Sequence, residues 1–193
     1  MVIVELEGGR IHRLSPNGNL TTIAGDGSKS YEGDGGPAAA ATFNGMHNVA
    51  VTPNDDIYIA DSWNHCIRKI NGKSGIISTF AGTGEAGFSG NGGPADKAKF
   101  DFIMCITLNT TNDAIYVADL KNRRIRMIKA IRKYDPRTKT VTTIVGQGHG
   151  RPVFELLHPH GVCFEQGRLY VVDTGNNRIL KVDMGPKGSL APL

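Results

Sequence analysis

Ile57-Tyr58-Ile59-Ala60-Asp61 returns as Ile115-Tyr116-Val117-Ala118-Asp119, and again as Leu169-Tyr170-Val171-Val172-Asp173, at steps of 58 and 54 residues. Recurrence at a fixed step of this size is the signature of a repeat architecture. Other landmarks keep the same step. Three positions after each Asp stands Asn64, Asn122 or Asn176, and three further on Ile67, Ile125 or Ile179. Gly33-Asp34-Gly35-Gly36-Pro37-Ala38 returns 57 residues later as Gly90-Asn91-Gly92-Gly93-Pro94-Ala95. Ala24-Gly25-Asp26-Gly27 returns as Ala81-Gly82-Thr83-Gly84, and more loosely as Val145-Gly146-Gln147-Gly148.

Each unit holds four short runs rich in Val, Ile, Tyr, Phe and Thr. In the second unit they are 47–51, 56–60, 66–70 and 76–81, broken by Pro53-Asn54-Asp55 and Asn71-Gly72. In the third they are 104–108, 114–118, 125–131 and 140–145. Such runs, bounded by turn residues, are strands. No stretch of a dozen residues carries a helical period. Four antiparallel strands per repeat, stacked radially, make a β-propeller blade, so the expected class is all-β. Val2-Ile3-Val4-Glu5 matches Tyr58-Ile59-Ala60-Asp61, so the chain joins its first blade at the second strand. At the other end, 161–164, 168–172 and 178–182 supply three strands, and the tail 184–193 is too rich in Gly and Pro for a fourth. The expectation is fourteen strands in about 3.5 blades: a partial blade 1–43, blades 44–100 and 101–156, and a partial blade 157–193. That is an incomplete propeller, an open arc or part of a larger ring. A half-ring that dimerises is the alternative, since open blade edges invite self-association.

The units resemble NHL repeats, whose blades carry a Pro-x-Gly-Val, Tyr-Val-Ala-Asp, Asn-x-Arg-Ile succession. Pro159-His160-Gly161-Val162, Tyr170-Val171-Val172-Asp173 and Asn176-Asn177-Arg178-Ile179 carry the resemblance most fully. The Gly-rich insert is similar to that of the long-repeat bacterial type and of teneurin-type NHL repeats. Cys66 departs from the pattern where Arg is expected, and Met46 and Ile103 replace the strand-1 Pro. The resemblance implies a propeller used mostly as a binding scaffold. It implies no particular chemistry, because one fold hosts many functions.

Composition narrows the field. The apolar fraction is 39% with 25 glycines, enough for a packed core. The longest apolar run, Phe102-Ile103-Met104-Cys105-Ile106, is far short of the ~20 residues of a membrane helix. No signal-peptide pattern follows Met1. Cys66, Cys105 and Cys163 form neither a CxxC pair nor a disulfide framework and leave the compartment undecided. Between 121 and 139 lie nine basic residues and one acid, whereas the remainder holds 13 basic and 17 acidic residues. The basic character is therefore local.

Antiparallel connectivity places the Gly-rich inserts 25–42 and 82–99 and the Asp-x-x-Asn loops on one face of the arc, where binding usually sits. Lys121, Arg123 and Arg124 belong to that face, and Arg126, Lys129, Arg132 and Lys133 are expected along the outer part of the blade. Trp63, the only tryptophan, stands in the 61–65 loop as a candidate contact. His47 and His160 share one register at the start of the innermost strand. They are the only metal-ligand candidates for a channel site, but zinc wants three protein ligands, and the intervening blade offers Met104. Asp26, Glu32 and Asp34 are the oxygen ligands a Ca²⁺ site would use, yet the second insert replaces them. The Asp recurring beside Arg68, Arg126 and Arg178 reads as structural. Gly82-x-Gly84-x-x-Gly87 matches a dinucleotide fingerprint only in letters, since no helix follows. Asn19-Leu20-Thr21 and Asn109-Thr110-Thr111 are glycosylation sequons.

The expected function is a non-catalytic binding scaffold, with no catalytic set and no cofactor, that takes a protein or small ligand on the long-loop face. One alternative is a metal-dependent lyase or hydrolase built on His47 and His160. The other is weak, salt-sensitive RNA binding through 121–139.

Overall fold

The computed structural model describes residues 1–109, 113–130, 139–146 and 155–184. The basic residues Arg132, Lys133 and Arg137, the sequon residues Thr110 and Thr111, the loop residues Gln147 and Gly148, and the tail 185–193 lie outside the described residues.

Among the described residues, fourteen strands form four antiparallel meanders of three, four, four and three strands. The first sheet is β1 (Val2–Val4), β2 (Ile11–Leu14) and β3 (Leu20–Ala24). The second is β4 (Met46–Val51), β5 (Ile57–Asp61), β6 (Cys66–Ile70) and β7 (Ile77–Ala81). The third is β8 (Ile103–Asn109), β9 (Ala114–Asp119), β10 (Arg124–Ala130) and β11 (Lys139–Gly146). The fourth is β12 (Pro159–Glu165), β13 (Arg168–Asp173) and β14 (Arg178–Asp183). The expected strand count and the open propeller architecture are both present. No helix among the described residues is long and apolar enough to cross a membrane.

The core lies between blades, as successive strand residues alternate faces. Ile57 and Ile59 pack with Ile11 and Ala24 of the first sheet. Ile115 and Val117 pack with Ala60 and Ile67 of the second, and Leu169 and Val171 with Tyr116 and Ala118 of the third. One face of the second and of the third blade thus meets the preceding blade and the other meets the next. Burial on both faces explains why these strands read as nearly continuous apolar runs instead of alternating with polar residues.

Irregularities repeat with the sequence. Each innermost strand is bulged at its second residue, between Met46 and Asn48, Ile103 and Cys105, and Pro159 and Gly161. The outer edges of β7 and β11 are covered by the Gly-rich inserts. Gly35 N–H donates to Ile77 O at 2.8 Å, and Ile77 N–H returns a bond to Gly36 O at 3.0 Å. Gly92, Val141 and Gly93 repeat the exchange at 2.7 and 3.1 Å. Each insert therefore lies along the outer edge of the blade that follows it and removes an open sheet edge. Glycine is required at Gly33 (φ 95°) and Gly90 (φ 84°). A Cβ there would stand 2.7 Å from the Cα of Ala41 or Ala98.

Candidate functional site: the long-loop face

The inserts and the loops joining the second and third strands of each blade crowd one end of the arc. A short single-turn helix follows Asp61 and Asp173, and a residue in left-handed conformation closes each of the three turns: His65, Arg123 or Asn177. Within each turn the Asp is a tie point. Asp61 accepts from Asn44 N–H at 2.8 Å and Asn64 Nδ2 at 2.9 Å. Asp119 accepts from Asp101 N–H at 2.8 Å and Asn122 Nδ2 at 2.9 Å. Asp173 accepts from Leu157 N–H at 2.8 Å and Asn176 Nδ2 at 2.7 Å. The same Asn also donates to the incoming chain, at Ser30 O, Gly87 O or Glu155 O. Buried carboxylates whose oxygens are filled by such bonds hold loops together.

Burial pushes Asp61 and Asp119 up to about 6, against hydrogen bonds that favour the carboxylate. Asp173 goes the other way. Burial raises it too, but the bonds from Asn176, Leu157 and Arg178 outweigh burial and hold it below the ordinary value. Because Asp119 is raised above its unfolded value, its favourable contribution is full below about pH 4 and is lost as pH rises through about 6. The stability advantage of the wild-type chain over Asp119→Asn is expected to shrink between pH 4 and 7 in denaturant titrations. An advantage that grows with pH would contradict this.

Two of the recurring strand arginines do not line a surface. Arg68 and Arg126 are fully buried, which corrects the expectation that Arg126 runs along the outer edge as part of a basic field. Each reaches back onto the insert that precedes its blade. Arg68 Nη2 donates to Asp34 Oδ1 at 2.7 Å and to Glu32 O at 3.1 Å, and Nη1 donates to Thr42 O at 3.3 Å. Arg126 donates to Lys99 O and Ser89 O, both at 2.6 Å, and to Asn91 Oδ1 at 3.4 Å. Both guanidinium groups also lie 3.6 Å from their blade's Asp61 or Asp119. In the fourth blade Leu180 occupies this register, opposite Val171, and Arg178 pairs with Asp173 at 2.9 Å from the register of Cys66 and Arg124. The Gly-Gly-Pro insert is also missing before that blade. The buried arginine thus occurs where there is an insert to hold. Asp34 is committed to Arg68 and to Thr79 N–H at 2.8 Å, so its carboxylate serves this clamp.

His47 and His160 stand at the bulged positions of β4 and β12. Each ring bonds the carbonyl two residues back: Nδ1 of His47 to Gly45 O at 2.8 Å, and Nδ1 of His160 to His158 O at 3.1 Å. His160 also meets Thr174 Oγ1 at 2.9 Å, and His47 packs edge-on against Phe102. The shared register therefore reflects a shared local bond at a bulge. Among the described residues no contact joins the two rings, and no cluster of three or more His, Cys, Asp and Glu is arranged to hold a metal.

What stays open on this face is aromatic and cationic. Trp63 is 38% exposed; its ring lies over Gly45 and Lys29 stands 5.9 Å from it. Phe88 is 41% exposed beneath the Arg124 guanidinium at 3.8 Å. Tyr31 is also exposed, with its hydroxyl on Thr79 and its ring edge against Gly84. Lys121 and Arg123 are exposed as well. Sequence reading singled out Trp63 and the three cations but missed Phe88 and Tyr31, which look like ordinary insert residues until the clamped inserts place them beside the turns. It also missed His65. Its Nδ1 accepts Phe102 N–H at 3.2 Å, and Asp101, itself 3.7 Å from Lys121, lies 3.6 Å away. Burial pulls the His65 imidazole below its ordinary pKa.

Radially packed antiparallel blades, tied at one end by Asp-x-x-Asn turns, define a β-propeller repeat protein. The NHL repeat model matches residues 43–70 and 156–182, in the second and fourth blades. It is 29% identical over 201 residues to NHL repeat-containing protein 2 of Gallus gallus, a match covering 94% of this chain and 27% of the relative. The Homo sapiens protein of that name is 28% identical over 187 residues, covering 88% of this chain and 25% of its own. The chain thus spans about a quarter of the length of these relatives. An auxiliary nutrient binding protein from Bacteroides thetaiotaomicron shares the fold, with a TM-score of 0.68 at 17% identity, over 93% of this chain and 44% of that one.

Proposed function

We propose that the chain is a non-catalytic binding scaffold that engages a protein partner through the long-loop face. The observation that carries this reading is a division of labour. The recurring polar residues Asp61, Asn64 and Arg68, and Asp119, Asn122 and Arg126, are filled by bonds that hold the inserts, while Trp63 and Phe88 remain exposed, with Lys29 over the Trp63 ring and Arg124 over the Phe88 ring. Aromatic side chains bordered by cations are the residue types that dominate contact energy at protein interfaces. Loops held by a rigid frame also lose little entropy on binding.

The test is a comparative capture from extract with tagged wild-type chain, the Trp63→Ala/Phe88→Ala double variant, and Asn54→Ala at the opposite turn face. The double variant is expected to lose the wild-type partner and Asn54→Ala to keep it. Capture indifferent to Trp63 and Phe88 would contradict the reading. A partner released by nuclease, with binding that falls by orders of magnitude between ~50 and ~200 mM salt, would favour nucleic acid instead.

A further inference from the structure

At the end of the blades opposite Trp63 and Phe88, the three contacts between neighbouring blades can be compared position by position, and they differ. Arg13, Lys69 and Met127 share one register on the third strands, opposite Val2, Tyr58 and Tyr116. Asp55, Asp113 and Gly167 share another, in the turn between the first two strands of the following blade, at φ 66°, 53° and 77°. Between the first and second blades the two registers meet: Arg13 Nη2 donates to both oxygens of Asp55, at 2.9 and 2.7 Å. Between the third and fourth neither register is charged, and Tyr116 stacks on Phe164 with ring centroids 5.3 Å apart. The contact between the second and third blades does neither. Lys69 turns to Asp56 of its own blade, at 2.7 Å, and the third blade has Leu108 in the register of Phe164. Asp113 is exposed and, among the described residues, makes no hydrogen bond or ion pair. A cleft of about 320 Å³ opens there, lined by Tyr58, Phe80, Leu108 and Ile115, with Asn54 and Asp113 among its polar groups. Tyr58 and Phe80 meet edge to face, 4.9 Å between centroids. The volume and the mostly apolar lining with a few polar groups are those of a small-molecule site.

We propose that this cleft between the second and third blades binds a small organic cation, an ammonium or guanidinium group carried on a flat apolar body. The cationic group meets Asp113 as the Arg13 guanidinium meets Asp55 one blade earlier, and the body lies against the side chains of Tyr58, Phe80 and Leu108. The sign of the charge follows from the repeat, because the equivalent acid is the one that this chain itself fills with a guanidinium. Asp113 is also the only charged residue lining the cleft. Lys69 is matched by Asp56, and Lys139 lies over the Phe80 ring at 3.8 Å. Aromatic rings beside a carboxylate are the surroundings in which an organic cation is held without water. The proposal does not rest on the partner-binding reading of the long-loop face.

Amide NMR titration of the 193-residue chain with 2-phenylethylammonium tests it, with 3-phenylpropionate as the anionic counterpart. The cation is expected to shift the amides of Asn54, Asp113 and Ala114 in a saturable way at millimolar concentrations, and the anion to bind more weakly. Asp113→Asn should weaken the cation at least about tenfold, the usual loss when a charge-assisted bond is removed. Asparagine tolerates the positive φ of this turn, so the variant is expected to keep the wild-type amide spectrum elsewhere. Leu108→Phe places in the cleft the ring that the fourth blade has at this register, and is expected to abolish binding while the β-sheet circular dichroism is kept. The proposal is overturned by a folded wild-type chain whose cleft amides do not respond to the cation. It is equally overturned by undiminished binding to Asp113→Asn, or by 3-phenylpropionate binding as tightly as the cation, which assigns the cleft to Lys69 and Lys139 instead.

Discussion

Arg68→Ala is expected to lower the unfolding free energy by about 3–5 kcal/mol, the usual consequence of removing one member of a buried ion pair. The guanidinium is fully buried and holds three groups of the 25–42 insert together, the Asp34 carboxylate and the carbonyls of Glu32 and Thr42. Its loss removes the guanidinium donors from those acceptors and leaves Asp61 without its cation at 3.6 Å. The ring of Phe43, 5.6 Å from the guanidinium, loses a packing neighbour as well. Chemical denaturation measures the loss, and the amides that join insert to blade edge, Gly35 and Ile77, should exchange faster with solvent. Arg126→Ala should behave alike, since it makes the equivalent bonds to Ser89, Asn91 and Lys99. A cost near zero at both positions would show that the inserts are held by something else.

The second large effect is expected at Val117→Asp, on the order of 3–5 kcal/mol. Val117 is fully buried between the second and third blades, packed with Ile106, Ala60 and Ile67. Arg126 stands opposite on β10, but its guanidinium is already taken by Lys99 O, Ser89 O and Asp119. In the free chain Ile3→Asp, at the equivalent register of the first blade, should cost far less, because that side chain faces no preceding blade. Equal losses at the two positions would mean that the faces of the blades are not used as described.

The two predictions mark where the sequence was legible. Strand positions, blade order and the packing of Ile57, Ile115 and Leu169 could be read because the repeats supply internal alignments and period-2 geometry does the rest. The clamp could not be read in the same way. A charged residue on a strand is taken as solvent-facing, since arginine is seldom fully buried without a partner. In a propeller blade both faces are covered, so Arg68 and Arg126 have no solvent side to occupy, and their partners lie 26 to 37 residues away in an insert that looks like simple turn geometry. The available signal was comparative: arginine where Gly-Asp-Gly-Gly-Pro or Gly-Asn-Gly-Gly-Pro precedes the blade, and Leu180 where it does not. His47 and His160, which sequence reading ranked as channel-metal candidates below a purely local role, share a register, and each makes the same bond to the carbonyl two residues back at a bulge.

The central claim is that the recurring charged residues of this face are fasteners that hold the inserts, and so present Trp63 and Phe88, instead of taking part in chemistry. A double-mutant cycle between Arg68 and Asp34, read by denaturant unfolding of the wild type, Arg68→Ala, Asp34→Ala and the double variant, measures it directly. The account predicts a coupling of about 1–3 kcal/mol, with the double variant much less destabilised than the sum of the single ones. Additivity within about 0.5 kcal/mol would contradict it.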